Sequence, residues 1–259
     1  QNTLLNDNVS NEFTTSDMVN FKNNLYLVKK LKRKGRSVSA NFDVNNKESN
    51  DEASIYNKTT FYQSGNTDDE RNQFVKDLDR NNEYQFGLEY NEPITDSLSL
   101  GISGTYILNK TVRDKKTSDF NTATGDYDLI NDPLTSNIVS DKQTVSPRVE
   151  LQLNKKNLRG FFSLGPDVVN YFNKSNYMGL ETRLNSNHML PYMRANLRYS
   201  FAKSKSLYFN ADYKVNLPTA NQLLPFEDLS NPLNTITGNP DLKPNENYSF
   251  YMNFNNFDF

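Results

Sequence analysis

The chain has 259 residues, with 29 Lys and Arg against 31 Asp and Glu and no cysteine. A formal net charge of -2 removes the electrostatic reason to expect nucleic acid as a partner, and the missing thiols exclude disulfides and thiolate metal sites. Mean hydropathy is -0.80, yet aromatic residues make up 12%; disordered chains are poor in aromatics, so a folded chain with much wetted surface is expected.

The opening QNTLLNDNVS has no charged segment followed by an apolar stretch, so no signal peptide is expected there. The chain is expected to be an exported protein already trimmed, or a piece of something longer. No run of 18 apolar residues predicts a transmembrane helix. The informative signal has period two, which on a strand separates two faces. FKNNLYLVKKL (21–31) carries it faintly. SVSANFDV (37–44) sets Val38, Ala40, Phe42 and Val44 against Ser37, Ser39, Asn41 and Asp43. EYQFGLEY (83–90) and SLSLGISGTYIL (97–108) follow, then RVELQL (148–153), a fainter LRGFFSLG (158–165), YMRANLRYSF (192–201), SLYFNADYKV (206–215) and YSFYMNF (248–254). These make about nine strands of about ten residues, long for a soluble sheet and right for a spanning strand.

The connections alternate. Short polar turns are predicted at Lys32–Gly35, Glu92–Ser97, Asn154–Asn157 and Lys203–Ser206. Between the hairpins lie long polar stretches at 50–72, 113–143, 166–187 and 218–246. Short turns at one end and long loops at the other belong to an antiparallel, up-and-down transmembrane β-barrel. A soluble β-sandwich also alternates, but four such loops are foreign to a compact soluble domain. The polar faces hold Arg194 with Arg198, Glu83 with Glu89, and Asp212 with Lys214, as a water-filled lumen allows. The fold class expected is therefore all-β, a partial barrel of about nine to ten strands, with residues 1–259 as one barrel region.

Chemistry-bearing motifs are sparse. The one histidine, His188, has no visible triad or zinc partners. The nucleophile elbow, the phosphate-binding loop and the dinucleotide fingerprint do not occur. No enzyme, no cofactor and no metal is expected. The acidic loop TGDYDLINDP offers Asp126, Asp128 and Asp132 as the lesser candidates for a calcium site, although their spacing does not match an EF-hand loop.

The most specific pattern lies near the end. Pro218, Gln222, Leu223 and Pro225 form P-x-x-x-Q-L-x-P, Ser230 to Leu233 read S-N-P-L, and Gly238, Asn239, Pro240, Leu242, Lys243 and Pro244 form G-N-P-x-L-K-P, with the following acid one place late at Glu246. Tyr90, Glu92 and Pro93 make a tyrosine-then-Glu-Pro turn. From residue 20 onward the chain resembles the barrel region of TonB-dependent receptors common in the Bacteroidetes, the outer membrane protein beta-barrel family. The resemblance implies location in the bacterial outer membrane and contact with its lipid. It implies uptake of a nutrient ligand that the sequence does not name. It also implies energy from a TonB complex acting through a plug domain. No plug is recognisable in this chain, and barrels of that class have about 22 strands, so a barrel segment is expected. The alternatives are a small complete outer-membrane barrel and a soluble β-rich adhesin-type binding protein.

Overall fold

The computed structural model describes residues 5–62, 68–202, 204–224, 227–228 and 236–257. Pro225, Ser230–Leu233 and Phe259 lie outside the described residues. Nine long strands follow one another: β1 (Asn6–Lys30), β2 (Ser37–Phe61), β3 (Asp69–Pro93), β4 (Leu98–Asn121), β6 (Ser136–Asn154), β7 (Leu158–Tyr177), β8 (Leu180–Ser200), β9 (Lys205–Asn216) and β12 (Asn245–Asn256). Between them lie the short β5 (Asp126–Ile130), a 3-10 turn (Asp132–Leu134), the helical turn α1 (Ala220–Leu223) and a small hairpin, β10 (Glu227–Asp228) with β11 (Ile236–Thr237). The order β1-β2-β3-β4-β6-β7-β8-β9-β12, with β5 added to β4, makes one antiparallel ten-stranded sheet. β1 and β12 are its edges and do not pair with each other.

Cross-strand register carries the alternation around the wall. One row runs Val38, Tyr90, Ile102, Val149, Leu164, Met193, Tyr213, Tyr248. A second runs Leu25, Phe42, Phe86, Tyr106, Val145, Val168, Met189. Large apolar side chains on this face stand in the open, Met189 at 73% and Ile102 at 54%. A soluble sheet would turn such rows inward, so they form a lipid-facing belt.

The belt runs obliquely across the strands. Its outward apolar residues reach down to Val38 on β2 and Tyr90 on β3, to Leu98, Leu153 and Leu158 on β4, β6 and β7, and to Leu207 and Phe254 on β9 and β12. Its upper limit falls likewise, from Val44 on β2 to Tyr248 on β12. Both limits move six residues relative to the row joining Val38 to Tyr248. At about 3.4 Å per residue and about 4.8 Å per strand, that is about 20 Å over about 33 Å, a strand tilt of about 30°. Strands of outer-membrane barrels tilt by about 35–45°. Ile102→Arg should therefore cost about 2–4 kcal/mol, because a cation near mid-bilayer on the lipid face is penalised by that much. Ser103→Arg, on the opposite face, should cost far less. Reversible urea unfolding of the protein in lipid vesicles reads the difference, and equal costs would refute the assignment of faces.

All the long strands but β9 and β12, which have 12 residues each, are about twice as long as the alternation predicts. The stretch 50–72 is mostly β2 and β3, 166–187 is β7 and β8 joined at Met178–Gly179, and much of 113–143 is β4 and β6. Among the described residues of 218–246, no long strand occurs before β12 begins at Asn245. The physical reason is that the strands continue beyond the belt, where both faces meet water and the apolar alternation ends. There the outward face carries cross-strand ion pairs: Arg80–Glu48 (2.7 Å), Lys76–Glu52 (2.9 Å), Lys110–Asp141 (3.6 Å) and Lys174–Glu181 (2.7 Å). Exposed pairs stabilise little, but opposite charges directly across a ladder, as in the first three, favour its register; Lys174 reaches Glu181 diagonally.

Candidate functional site: the polar inner wall and its strap

Inner side chains of β3 through β9 line one cavity of about 730 Å³, so the sheet curls around it. Glu83, Lys142, Arg148, Glu150, Arg194 and Lys214 supply its charges, together with Asp167. Arg194 pairs with Asp212 across the ladder at 3.3 Å. Glu83 accepts a hydrogen bond from Asn109 at 3.2 Å.

The chain leaving β9 turns into this space. Residues 217–224 form a strap whose apolar side chains meet the inner wall. Leu223 packs with Val169, Tyr171 and Leu190, while Ala220 and Leu224 pack with Ile138. Leu224 is fully buried. Gln222 folds its side chain back so that Oε1 accepts from the Thr219 backbone N–H (2.9 Å) and hydroxyl (3.1 Å), closing the single turn of α1. The two halves of the proline-rich pattern meet here. The Asn239 N–H donates to the Gln222 carbonyl at 2.7 Å. Gly238 lies against the Leu224 carbonyl oxygen, where a Cβ would not fit. Asn239 Oδ1 accepts from the Asp241 N–H at 2.9 Å, fixing the following turn. Pro218 opens the strap. Pro240, Leu242, Lys243 and Pro244 lead out of it to β12, with Leu242 exposed.

Tyr90, Glu92 and Pro93 end β3 rather than forming the turn itself, which occupies 94–97. Glu92 reaches the neighbouring β1–β2 turn, accepting from Arg33 and Arg36 at 2.7 Å each and from the Tyr90 hydroxyl. Asn91 Nδ2 donates to the Gly35 carbonyl at 2.9 Å. The motif thus ties two adjacent turns together just below the belt. Arg36 and the Tyr90 hydroxyl hold the Glu92 carboxyl down at about 2 from its usual 4.5. A carboxyl depressed on folding contributes stability that is present above its unfolded value and lost as pH falls through the folded one. The contribution of Glu92 is therefore expected to persist above about pH 4.5 and to fade towards about pH 2. Comparing urea midpoints of the parent and Glu92→Gln across that window checks it; a constant gap between the two would count against it.

Asp126 and Asp128 project two residues apart from β5, and Asp132 lies in the 3-10 turn; all three are exposed. Among the described residues no three His, Asp or Glu side chains converge into a metal-binding group. The three calcium candidates form no such group, although Asp126 and Asp128, two residues apart, share one face of β5. His188 lies on the inner face opposite Val169, without such a group.

Sequence reasoning missed a patch in the wall. Pro147, Pro166 and Pro191 stand side by side at belt height, and the β6–β7 register lapses between Val145 and Val149. Proline brings no N–H to the ladder. Arg148 supplies the donors instead, bonding the Pro147 carbonyl (3.0 Å), the Pro166 carbonyl and Asp167. Its guanidinium lies 4.3 Å over the Tyr192 ring, and Ser146 donates to Asp167 at 2.6 Å. Three prolines inside strands were the available signal.

The model of the outer membrane protein beta-barrel family matches residues 29–259. No curated protein matches the chain.

Proposed function

The chain belongs to the outer membrane protein beta-barrel family of the bacterial outer membrane, and on that premise we propose that it is wall of a TonB-dependent receptor that takes up a nutrient. The observation that supports this reading is the strap. The P-x-x-x-Q-L and G-N-P patterns that resemble Bacteroidetes receptors join in one in-folded element on a polar inner wall. The wall is apolar towards lipid and charged towards the lumen, as passage of a polar solute requires.

In lipid an unpaired sheet edge is not tolerated, so β1 and β12 require backbone partners in the membrane. A plug acting with the TonB complex would supply the energy. The proposed role is transport rather than catalysis, with recognition in the lumen and the outer ends of the strands.

The test is uptake by cells carrying the whole receptor. Accumulation of a scarce nutrient should require both the receptor and an intact TonB complex. Accumulation that continues at full rate after TonB depletion would point to a passive pore. Retention of surface adhesion with no accumulation of any nutrient would point to an adhesin.

A further inference from the structure

The strap divides the inner wall into two chambers. The larger is the cavity of about 730 Å³ within the belt. The smaller, of about 270 Å³, lies on the other side of the strap. Lys142, Tyr171 and Thr219 line both, so they form the rim between them. Lys142 sits in register between Asn109 and Tyr171. It is half-buried, and its ammonium has no ion pair among the described residues.

The charges differ between the chambers. The smaller one is lined by two cations, Lys142 and Arg113, and by no carboxylate among its described lining residues. Arg113 is held by Asp79 at 3.0 Å, which leaves Lys142 with its charge uncompensated. In the larger chamber Asp167 is taken by Arg148; Glu83 lies two strands from Lys142 in the same row and is held by Asn109 between them, and Glu150 lies eight residues away along β6 and is held by Ser163. Lys214, next to the strap, is a second ammonium without an ion pair among the described residues. An ammonium drawn partly out of water favours a counter-charge. A small chamber offers such a counter-charge more field than open solvent.

We propose that the rim at Lys142 is a binding site for a small oxyanion-bearing solute, a carboxylate or a phosphate, and that Lys142 sets this preference. The Ser140 hydroxyl and the second Nδ2 hydrogen of Asn109, whose first goes to Glu83, also face the small chamber and provide neutral donors for the remaining oxygens. The inference rests on the transport reading for the solute's being cargo; the binding itself does not.

The experiment uses the full-length receptor purified in detergent, with equilibrium dialysis against succinate, inorganic phosphate and, as the neutral control, glucose. Binding of succinate or phosphate but not glucose is expected. Lys142→Glu should weaken it by at least about tenfold, the usual loss for a charged hydrogen-bond partner, and Lys142→Arg should retain it. β-type circular dichroism of Lys142→Gln establishes that the wall still folds, and this variant should also lose affinity. Glucose binding as well as the anions, or equal anion binding by Lys142→Glu and the parent, overturns the site. Anion binding through Lys142 by a receptor that works without TonB keeps the site and removes the energy-coupled reading.

Discussion

Gly238→Val should detach the strap from the inner wall while leaving the sheet standing. Gly238 lies so close to the carbonyl oxygen of Leu224 and to that of Asn221 that any Cβ displaces them. Neither oxygen belongs to a flexible side chain, so the strap has to move as a unit. The movement also breaks the Asn239–Gln222 backbone bond. Leu223 and Leu224 then leave their apolar neighbours on β6, β7 and β8. At about 1.5–3 kcal/mol for each buried leucine, docking is weakened by about 3–6 kcal/mol. Limited proteolysis in detergent should cut the variant between residues 217 and 240 much faster than the parent, with β-type circular dichroism unchanged. Gly104→Val is the control, because a Cβ at Gly104 meets nothing within 4 Å. Equal cleavage of both variants would refute a docked strap.

What the sequence discloses follows the solvent. Within the belt, lipid on one side and water on the other force an alternation that survives in the letters; SVSANFDV and YMRANLRYSF locate their strands well. Beyond the belt both sides are wet. NDEASIY (50–56) then reads as loop although it belongs to β2, which runs to Phe61. Its partners are set by charges such as Glu48 and Arg80, which are 32 residues apart, and no local pattern reports them. The strap was legible as a motif but not as a contact. Gln222 and Gly238 gain their meaning from meeting each other, and no local pattern reports a contact between positions so far apart in the chain. Glu92 illustrates the same limit: its two arginines lie on the turn of another hairpin.

The wall at Arg148 is expected to be the most sensitive point inside the belt. Arg148→Ala leaves the Pro147 and Pro166 carbonyls without these donors, and it strands the Asp167 carboxylate beside them. Arg148 is 12% and Asp167 28% exposed, so solvent and the Ser146 hydroxyl compensate in part. Removing one partner of a fully buried pair typically costs about 3–5 kcal/mol, mainly through the charge left behind, and the cost here is expected below that. Arg148→Lys should recover part of this, since a single ammonium cannot serve two carbonyls and a carboxylate in a planar fork. The double variant Arg148→Ala, Asp167→Asn separates the two contributions. Once the stranded charge is neutralised, the remaining cost belongs to the carbonyls that the prolines leave unpaired. Reversible urea unfolding in vesicles should rank the parent above Arg148→Lys, then the double variant, then Arg148→Ala. If Arg148→Ala were as stable as the parent, the ladder would close across the prolines without the guanidinium. If the double variant were no better than Arg148→Ala, the Asp167 carboxylate would contribute nothing to the cost, and the arginine's work would be done on the carbonyls alone.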